Sequence, residues 1–282
     1  MTGANGRLGR VLAKTLVERG MTEDVTLTTR NPAQVGDLAE LGFRVVAADF
    51  ADPASLEQAF AGAETLMMIS ATGPAAERIP LHRNAIDAAA RAGVPKIVYT
   101  SRVTPLASSP YPFSVIHDDS EAKIKASGMA YTFLRDNEFS ENLDPWLTSA
   151  AETGELHFGA KGKIAFICRA DVIASIVAVL CSDGHEDKVY ELSGPEALDR
   201  DGIAAVLSEA VGRPVVAPAH SREEFGAVVA AQGRPDFVVN MFKGLYDASA
   251  AGEWSATSKY PELLMGRPAT SLSDYIRAKF AR

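Results

Sequence analysis

Gly3, Gly6 and Gly9 stand three residues apart at the head of an amphipathic segment, and the chemistry this pattern suits is the holding of an anion. Small residues at this spacing let the backbone close against a pyrophosphate and let the next helix pack tightly on its strand, while unpaired amides at the helix start hold the charge. Three glycines specify little in a chain with 22 of them, so the turn is judged by the residues after it. Leu8, Val11, Leu12, Leu16 and Val17 repeat at helical period, Gly20 supplies a stop, and Val25-Thr26-Leu27-Thr28-Thr29 is β-rich. Arg30 then stands where that strand ends. In an NAD site an acidic residue near this point accepts from the ribose 2′-hydroxyl, whereas an arginine attracts a 2′-phosphate. The pattern leans towards NADP(H), with NAD(H) less favoured; the alternative is a solvated loop arginine. On this reading Gly3, Asn5, Gly6, Arg7 and Leu8 form the phosphate turn and Arg30 lies beside the ribose.

A second group of candidates is His117 and Glu121, four apart on a helix predicted to start near Ser114, which share a face. A carboxylate there raises the imidazole pKa and orients the ring as a proton donor. Asp118, Asp119, Lys123 and Lys125 make the same helix heavily charged, so a solvated pair is the competing reading. Tyr111, between Pro110 and Pro112, either caps a pocket or packs its own loop. The Tyr-x-x-x-Lys dyad of ordinary short-chain dehydrogenases, in which lysine lowers the tyrosine pKa, is not expected.

These residues need a scaffold, and the chain alternates apolar strands with helices in the way a parallel sheet covered on both faces requires. Phe43 to Ala48 predicts a strand ending at Asp49 and Phe50, which would sit near the adenine; Asp52 then caps a helix with Pro53 in its first position, running to about Phe60. Thr65 to Ile69 predicts the next strand, followed by Ser70, Ala71 and Thr72 as further cofactor contacts. A helix over Ile79 to Ala92 leads to a strand over Lys96 to Tyr99, after which Thr100 and Ser101 line the nicotinamide rather than act as nucleophiles, since no base adjoins them. Ala130 to Leu134 forms another strand, a helix lies near Trp146, Val189 to Leu192 pairs nearby, and Asp199 to Val211 forms a helix.

Composition narrows the class. With 282 residues, 47% hydrophobic and 23% charged, the chain can bury a large core. A net charge of −8 argues against nucleic acid and anionic membranes as general partners. The longest apolar run, around Val172 to Cys181, is too short to span a bilayer, so no membrane partner is expected and cytoplasm is the default location. Neither Cys168 and Cys181 nor the five histidines show metal-ligand spacing, so no metal site is expected.

Taken together, Thr2-Gly3-Ala4-Asn5-Gly6-Arg7-Leu8-Gly9, Thr29-Arg30-Asn31-Pro32, Asp49-Phe50-Ala51-Asp52-Pro53, the run from His82 to Ala89 and Tyr99-Thr100-Ser101 resemble the NmrA-like atypical short-chain dehydrogenases. The run from Leu134 to Asn142, Arg169-Ala170-Asp171, Tyr190 to Gly194 and Gly266 to Thr270 resemble the branch of type 2 NADPH:quinone oxidoreductases and triphenylmethane reductases, as does the His-x-x-x-Glu spacing of His117 and Glu121. The resemblance covers nearly the whole chain. The branch commonly carries Gly-Trp where this chain has Asn137-Glu138, which puts the substrate more than the cofactor in doubt.

The resemblance implies an α/β fold, a Rossmann-type doubly wound parallel sheet with a smaller, mixed, mainly helical C-terminal substrate lobe. Residues 1–142 with 164–193 would bind the nucleotide; 143–163 with 194–282 would form the lobe, whose Phe225, Phe237, Met241, Phe242, Tyr246 and Trp254 either line an apolar pocket or build the lobe's own core. The family's first strand precedes the glycine turn, yet only Met1 and Thr2 do so here, so that strand is expected to be truncated, with its neighbours short of backbone partners. The expected activity is hydride transfer from NADPH to a small quinone-like or conjugated aromatic acceptor, with a homodimer compatible. A non-catalytic NADP(H)-sensing regulator that binds a protein partner is the alternative, and conversion of a nucleotide-free metabolite a third.

Overall fold

The structure is a computed structural model that describes residues 1–281. In chain order its elements are α1 (Arg7–Glu18), β1 (Thr26–Thr29), α2 (Gly36–Glu40), β2 (Arg44–Ala47), α3 (Pro53–Phe60), β3 (Thr65–Met68), α4 (Ala75–Arg91), β4 (Lys96–Arg102), α5 (Ser114–Ala126), β5 (Ala130–Asp136), α6 (Asp144–Thr153), α7 (Arg169–Leu180), β6 (Lys188–Leu192), α8 (Arg200–Val211), α9 (Arg222–Ala231), α10 (Asp236–Ala250), α11 (Tyr260–Met265) and α12 (Leu272–Phe280). β1 pairs with β2 in parallel, Thr26 opposite Arg44 and Thr29 opposite Ala47. The other strands form a second sheet in the order β3-β4-β5-β6, with β3 and β4 parallel. This is the α/β architecture that the alternation of strands and helices implies.

Met1 and Thr2 join the two sheets. The Thr28 amide donates to Met1 O at 2.8 Å and the Thr2 amide donates to Met67 O at 2.9 Å, so one short stretch bonds to both β1 and β3. The Thr2 hydroxyl also accepts from the Ile69 amide at 3.0 Å. The expected deficit of partners on the inner strands is corrected to that extent: two residues of extended backbone supply part of what a strand would.

Several boundaries differ from the sequence pattern, each for a physical reason. α4 starts at Ala75 rather than Ile79 and so takes Pro80 inside the helix, where its ring nitrogen has no hydrogen to give the preceding turn. This brings Arg78 into the helix, where it is buried. β4 and β5 run on to Arg102 and Asp136, beyond their apolar stretches, because backbone pairing continues after the apolar side chains stop. α3 begins as expected: Asp52 accepts from the amides of Ala54 at 3.1 Å and Ser55 at 3.3 Å, with Pro53 in the first turn.

By backbone contacts the chain divides into two compact units of similar length. The first comprises Met1–Ser101, Ile116–Leu134 and Ile173–Tyr190 and carries a core that includes Leu56, Phe60, Met68, Ile86, Ile97, Tyr99 and Phe133. The second comprises Arg102–Val115, Arg135–Val172 and Glu191–Arg282 and is mainly helical. Its core holds Trp146, Phe158, Phe166, Phe225 and Trp254. Within it two motifs of the family resemblance meet: the fully buried Asp171 accepts from Arg267 Nη2 at 2.7 Å and from the Thr270 amide at 2.7 Å. Among the described residues no helix is long and apolar enough to cross a membrane.

Because Asp52 satisfies two amides at the start of α3, Asp52→Ala should lower stability by about 1 kcal/mol, within a usual range of about 0.5–2 kcal/mol. Urea unfolding checks this; an unchanged midpoint would mean the cap carries no net stability.

Candidate functional site

The glycine turn owes its shape to one close approach. Gly9, on the buried side of α1, has no room for a side chain: a Cβ there would fall 2.1 Å from Gly3 O. Gly3 takes φ +68°, a left-handed conformation that glycine adopts without strain. The Gly6 amide donates to Gly3 O at 2.9 Å and closes the turn. No side chain caps α1, which leaves the first-turn amides of Arg7, Leu8 and Gly9 to an outside acceptor. An uncapped helix start behind an exposed turn of glycines fits a dinucleotide pyrophosphate.

Asn5 is held rather than loose. Its Nδ2 donates to Gln34 Oε1 at 2.8 Å, and its Oδ1 accepts from Arg10 Nε at 3.2 Å. Arg10 also pairs with Asp37 at 2.9 Å and donates to Gln34 O. Arg10 and Gln34 were not singled out by the sequence, although Arg10 lies one helical turn beyond Gly6. Arg30 is exposed directly after β1, and Asn31 behind it caps a short helical turn by accepting from the Ala33 amide at 3.1 Å.

The remaining strand ends are occupied by structural bonds. Asp49 accepts from the Ala51 amide at 3.0 Å, and Phe50 O accepts from Asn84 Nδ2 at 2.9 Å. The loop after β3 is gripped on several sides. The Ser70 amide donates to Thr100 Oγ1 at 2.9 Å, Arg78 Nη2 donates to Ser70 Oγ at 2.5 Å, and the Ala71 amide donates to His82 Nε2 at 3.0 Å. Thr72 is exposed.

His82 opens a buried polar chain whose protonation states follow from its partners. Since a backbone amide donates to Nε2, that nitrogen carries no hydrogen, and the ring hydrogen sits on Nδ1. Nδ1 lies 2.9 Å from Ser120 Oγ, which itself donates to Ile116 O at 2.7 Å, so His82 donates to Ser120. Burial, and then the nearby Arg78 charge, lower the His82 pKa to about 3, so the ring is neutral. Tyr99, wholly buried on β4, has its hydroxyl 2.9 Å from His117 Nδ1. Burial raises the phenol pKa, so the hydroxyl stays un-ionised, and it ties His117 Nδ1 into the same buried chain.

His117 and Glu121 are both buried, which corrects the reading of a solvated pair. Glu121 Oε1 accepts from Ser101 Oγ at 2.6 Å. The structure thus gathers His117, Glu121, Thr100, Ser101, Ser70 and Ala71 in the first unit, with Tyr99, His82, Ser120 and Arg78 as members the sequence did not announce. A clue existed: a tyrosine inside an apolar strand must find a partner for its hydroxyl.

Tyr111 belongs to the second unit, where it packs edge-on against Trp254 at 4.9 Å and Phe113 at 5.6 Å. The Arg102 guanidinium lies 4.2 Å over the Tyr111 ring and 4.1 Å over that of Trp254, and pairs with Glu138 at 3.2 Å. Asn137 donates to Ser193 Oγ at 3.0 Å and to Trp254 O at 3.0 Å. Asn137-Glu138, the departure from the resemblance, therefore carries an ion pair and two buried amide bonds. Phe225 and Trp254 are core residues, while Phe237 is exposed. The expected absence of Tyr-x-x-x-Lys is corrected at one place, Tyr275 and Lys279 on α12. Both bond Asp144, at 2.7 and 2.5 Å, and burial with this carboxylate raises the Tyr275 pKa, the opposite of a dehydrogenase tyrosine.

Comparison with known proteins agrees with this geometry. A family described as NAD(P)H-binding matches residues 3–183. Quinone oxidoreductase 2 of Escherichia coli (strain K12) is 35% identical, over 99% of this chain and 98% of its own. The NADPH-dependent quinone oxidoreductase of that species, solved with NADPH, matches with a TM-score of 0.93 over 99% of this chain and 98% of its own, at 35% identity. The triphenylmethane reductase of Citrobacter sp., solved with NADP(H), matches with a TM-score of 0.91 over 98% of each chain, at 30% identity.

Neutral burial of His82 has a pH signature. Below the free-histidine pKa of 6.5 the unfolded chain takes up a proton that the native ring, with its pKa of about 3, refuses. This contribution is fully present above pH 6.5 and is lost as pH falls towards 3. Between about pH 7 and pH 5 it amounts to about 2 kcal/mol. Urea unfolding at both pH values should show that loss in the native protein and not in His82→Gln; equal losses in the two would contradict it.

Proposed function

The chain belongs to the NAD(P)H-binding family, and from that premise we propose that it transfers hydride from NADPH to a quinone-like or other conjugated aromatic acceptor. It is an NAD(P)H-dependent oxidoreductase. The observation that carries the reading is the start of α1, uncapped and closed by Gly9 against Gly3 O, which suits the pyrophosphate of a dinucleotide. We assign Gly3, Asn5, Gly6, Arg7 and Leu8 to the pyrophosphate turn and the exposed Arg30 to the 2′-phosphate, for which a guanidinium gives charge-assisted bonds.

When bound, the cofactor supplies the hydride. The chain's own task is to orient the acceptor and deliver a hydrogen bond or proton to the acceptor oxygen, on which charge develops as the hydride adds. His117 suits that task, since Tyr99 holds its Nδ1 and so fixes the orientation of the ring. Glu121, anchored by Ser101, stands one helical turn from His117 on the same helix. The names of the two relatives, a quinone reductase and a triphenylmethane dye reductase, support a planar conjugated acceptor.

Arg30→Asp should weaken NADPH binding by about ten- to a hundredfold while leaving NADH within about threefold, because it removes a charge-assisted phosphate bond of about 1.5–3 kcal/mol. Titration of cofactor fluorescence checks this; equal losses for both cofactors would remove Arg30 from the site. His117→Ala should lower kcat with a quinone by about a hundredfold, the low end of general acid catalysis, with NADPH affinity nearly unchanged. An unchanged kcat would deny His117 its role.

A further inference from the structure

His82 lies outside the residues to which hydride transfer assigns a task, yet it is fully buried and bonded at both ring nitrogens. One partner is the backbone of the loop after β3. The other is Ser120, on the same helix as His117 and next to Glu121. We propose that His82 is a positioning residue that transmits nucleotide occupancy of the Ser70–Thr72 loop to the helix bearing His117 and Glu121. This rests on the reading above that the loop contacts the cofactor.

The geometry favours a rigid coupling. An imidazole ring has no internal torsion, so a shift of the Ala71 amide, 3.0 Å from Nε2, is carried across the ring to Ser120 Oγ, 2.9 Å from Nδ1. The ring is fixed in one tautomer by a backbone donor on one side and a committed hydroxyl on the other, since Ser120 gives its own hydrogen to Ile116 O. Two aromatic edges confine it: Phe50, with ring centroids 6.3 Å apart, and Tyr99, at 5.9 Å. Arg78, one turn earlier on α4, holds Ser70 Oγ and so keeps the loop on the same helix that carries His82. The ion pairs Arg83–Asp119 and Lys123–Asp87 also join α4 to α5, but they sit at the surface and touch no residue of the loop. They keep the helices together without touching the loop, whereas His82 bonds both the loop and α5.

The test uses two substitutions that divide the ring's functions. His82→Asn keeps a donor near Nδ1 and loses the acceptor for Ala71; His82→Gln keeps an acceptor near Nε2 and loses the donor to Ser120. Amide hydrogen exchange is followed in the purified full chain with and without NADPH, in the loop at 69–73 and in α5 at 116–121. In the native protein NADPH should slow exchange in both segments. In either variant it should still slow the loop, with cofactor affinity kept within about threefold, while α5 no longer responds and kcat with a quinone falls about tenfold, a range typical of coupling between sites. Protection of α5 that is equal in native and variant proteins would overturn the proposal, as would its absence from the native protein. Should both variants fail to fold, Ser120→Ala removes the helix end of the link alone and must give the same loss of α5 response. The readings fail separately: NADPH that binds and protects but is never oxidised sinks the reductase assignment and leaves the exchange result to decide His82. An unprotected loop sinks the proposal itself.

Discussion

The approach of Gly9 to the carbonyl of Gly3 is the contact on which the nucleotide half of the molecule depends. With a Cβ placed only 2.1 Å from that oxygen, any other residue would push α1 away from the turn. The helix would then no longer present its first amides beside the ends of β1 and β3, where ligands of open α/β sheets bind. The same approach brings Asn5 and Arg10 against Gln34 and Asp37, so the turn is braced from the segment after Arg30. One local packing constraint thus shapes both the turn and the segment that follows β1.

A second constraint lies behind the first. His82, Tyr99, His117, Ser120, Ser101 and Glu121 are polar groups taken out of water, and burial is tolerated because each finds a partner. Their pairing also removes freedom of protonation. The amide on Nε2 decides the tautomer of His82, and the buried phenol holds the ring of His117 in place. A ring held in one tautomer by buried neighbours is a better-aimed donor than a solvated histidine, at the cost of acid sensitivity.

The fold was legible because its signals are local and periodic. The glycine spacing, the Asp52-Pro53 helix start and the apolar runs of β1 to β5 each report on a few adjacent residues, and the structure carries them with shifts of a few positions. β4 and β5 ran longer than their apolar stretches because backbone bonds, not side-chain hydropathy, decide where pairing stops. His117 and Glu121 could be found by helical spacing, but their burial could not, since Asp118, Asp119, Lys123 and Lys125 mask it in the sequence. Tyr99 and His82 were hidden for another reason: their partners lie on other elements, as His82 and Ser120 do at 38 residues apart, and no spacing rule reaches that far. Tyr275 and Lys279 teach the converse, since a familiar spacing on α12 carries the wrong chemistry once Asp144 is seen between them.

Turnover is the property on which the reductase assignment rests. Purified protein mixed with NADPH or NADH and a small panel of quinones and cationic aromatic dyes, followed by the near-ultraviolet absorbance of the reduced cofactor, measures it directly. The predicted result is oxidation that needs both protein and acceptor and proceeds faster with NADPH than with NADH. Tight binding of NADPH with no oxidation by any acceptor would contradict it and mark the chain as a nucleotide-binding protein without reductase activity.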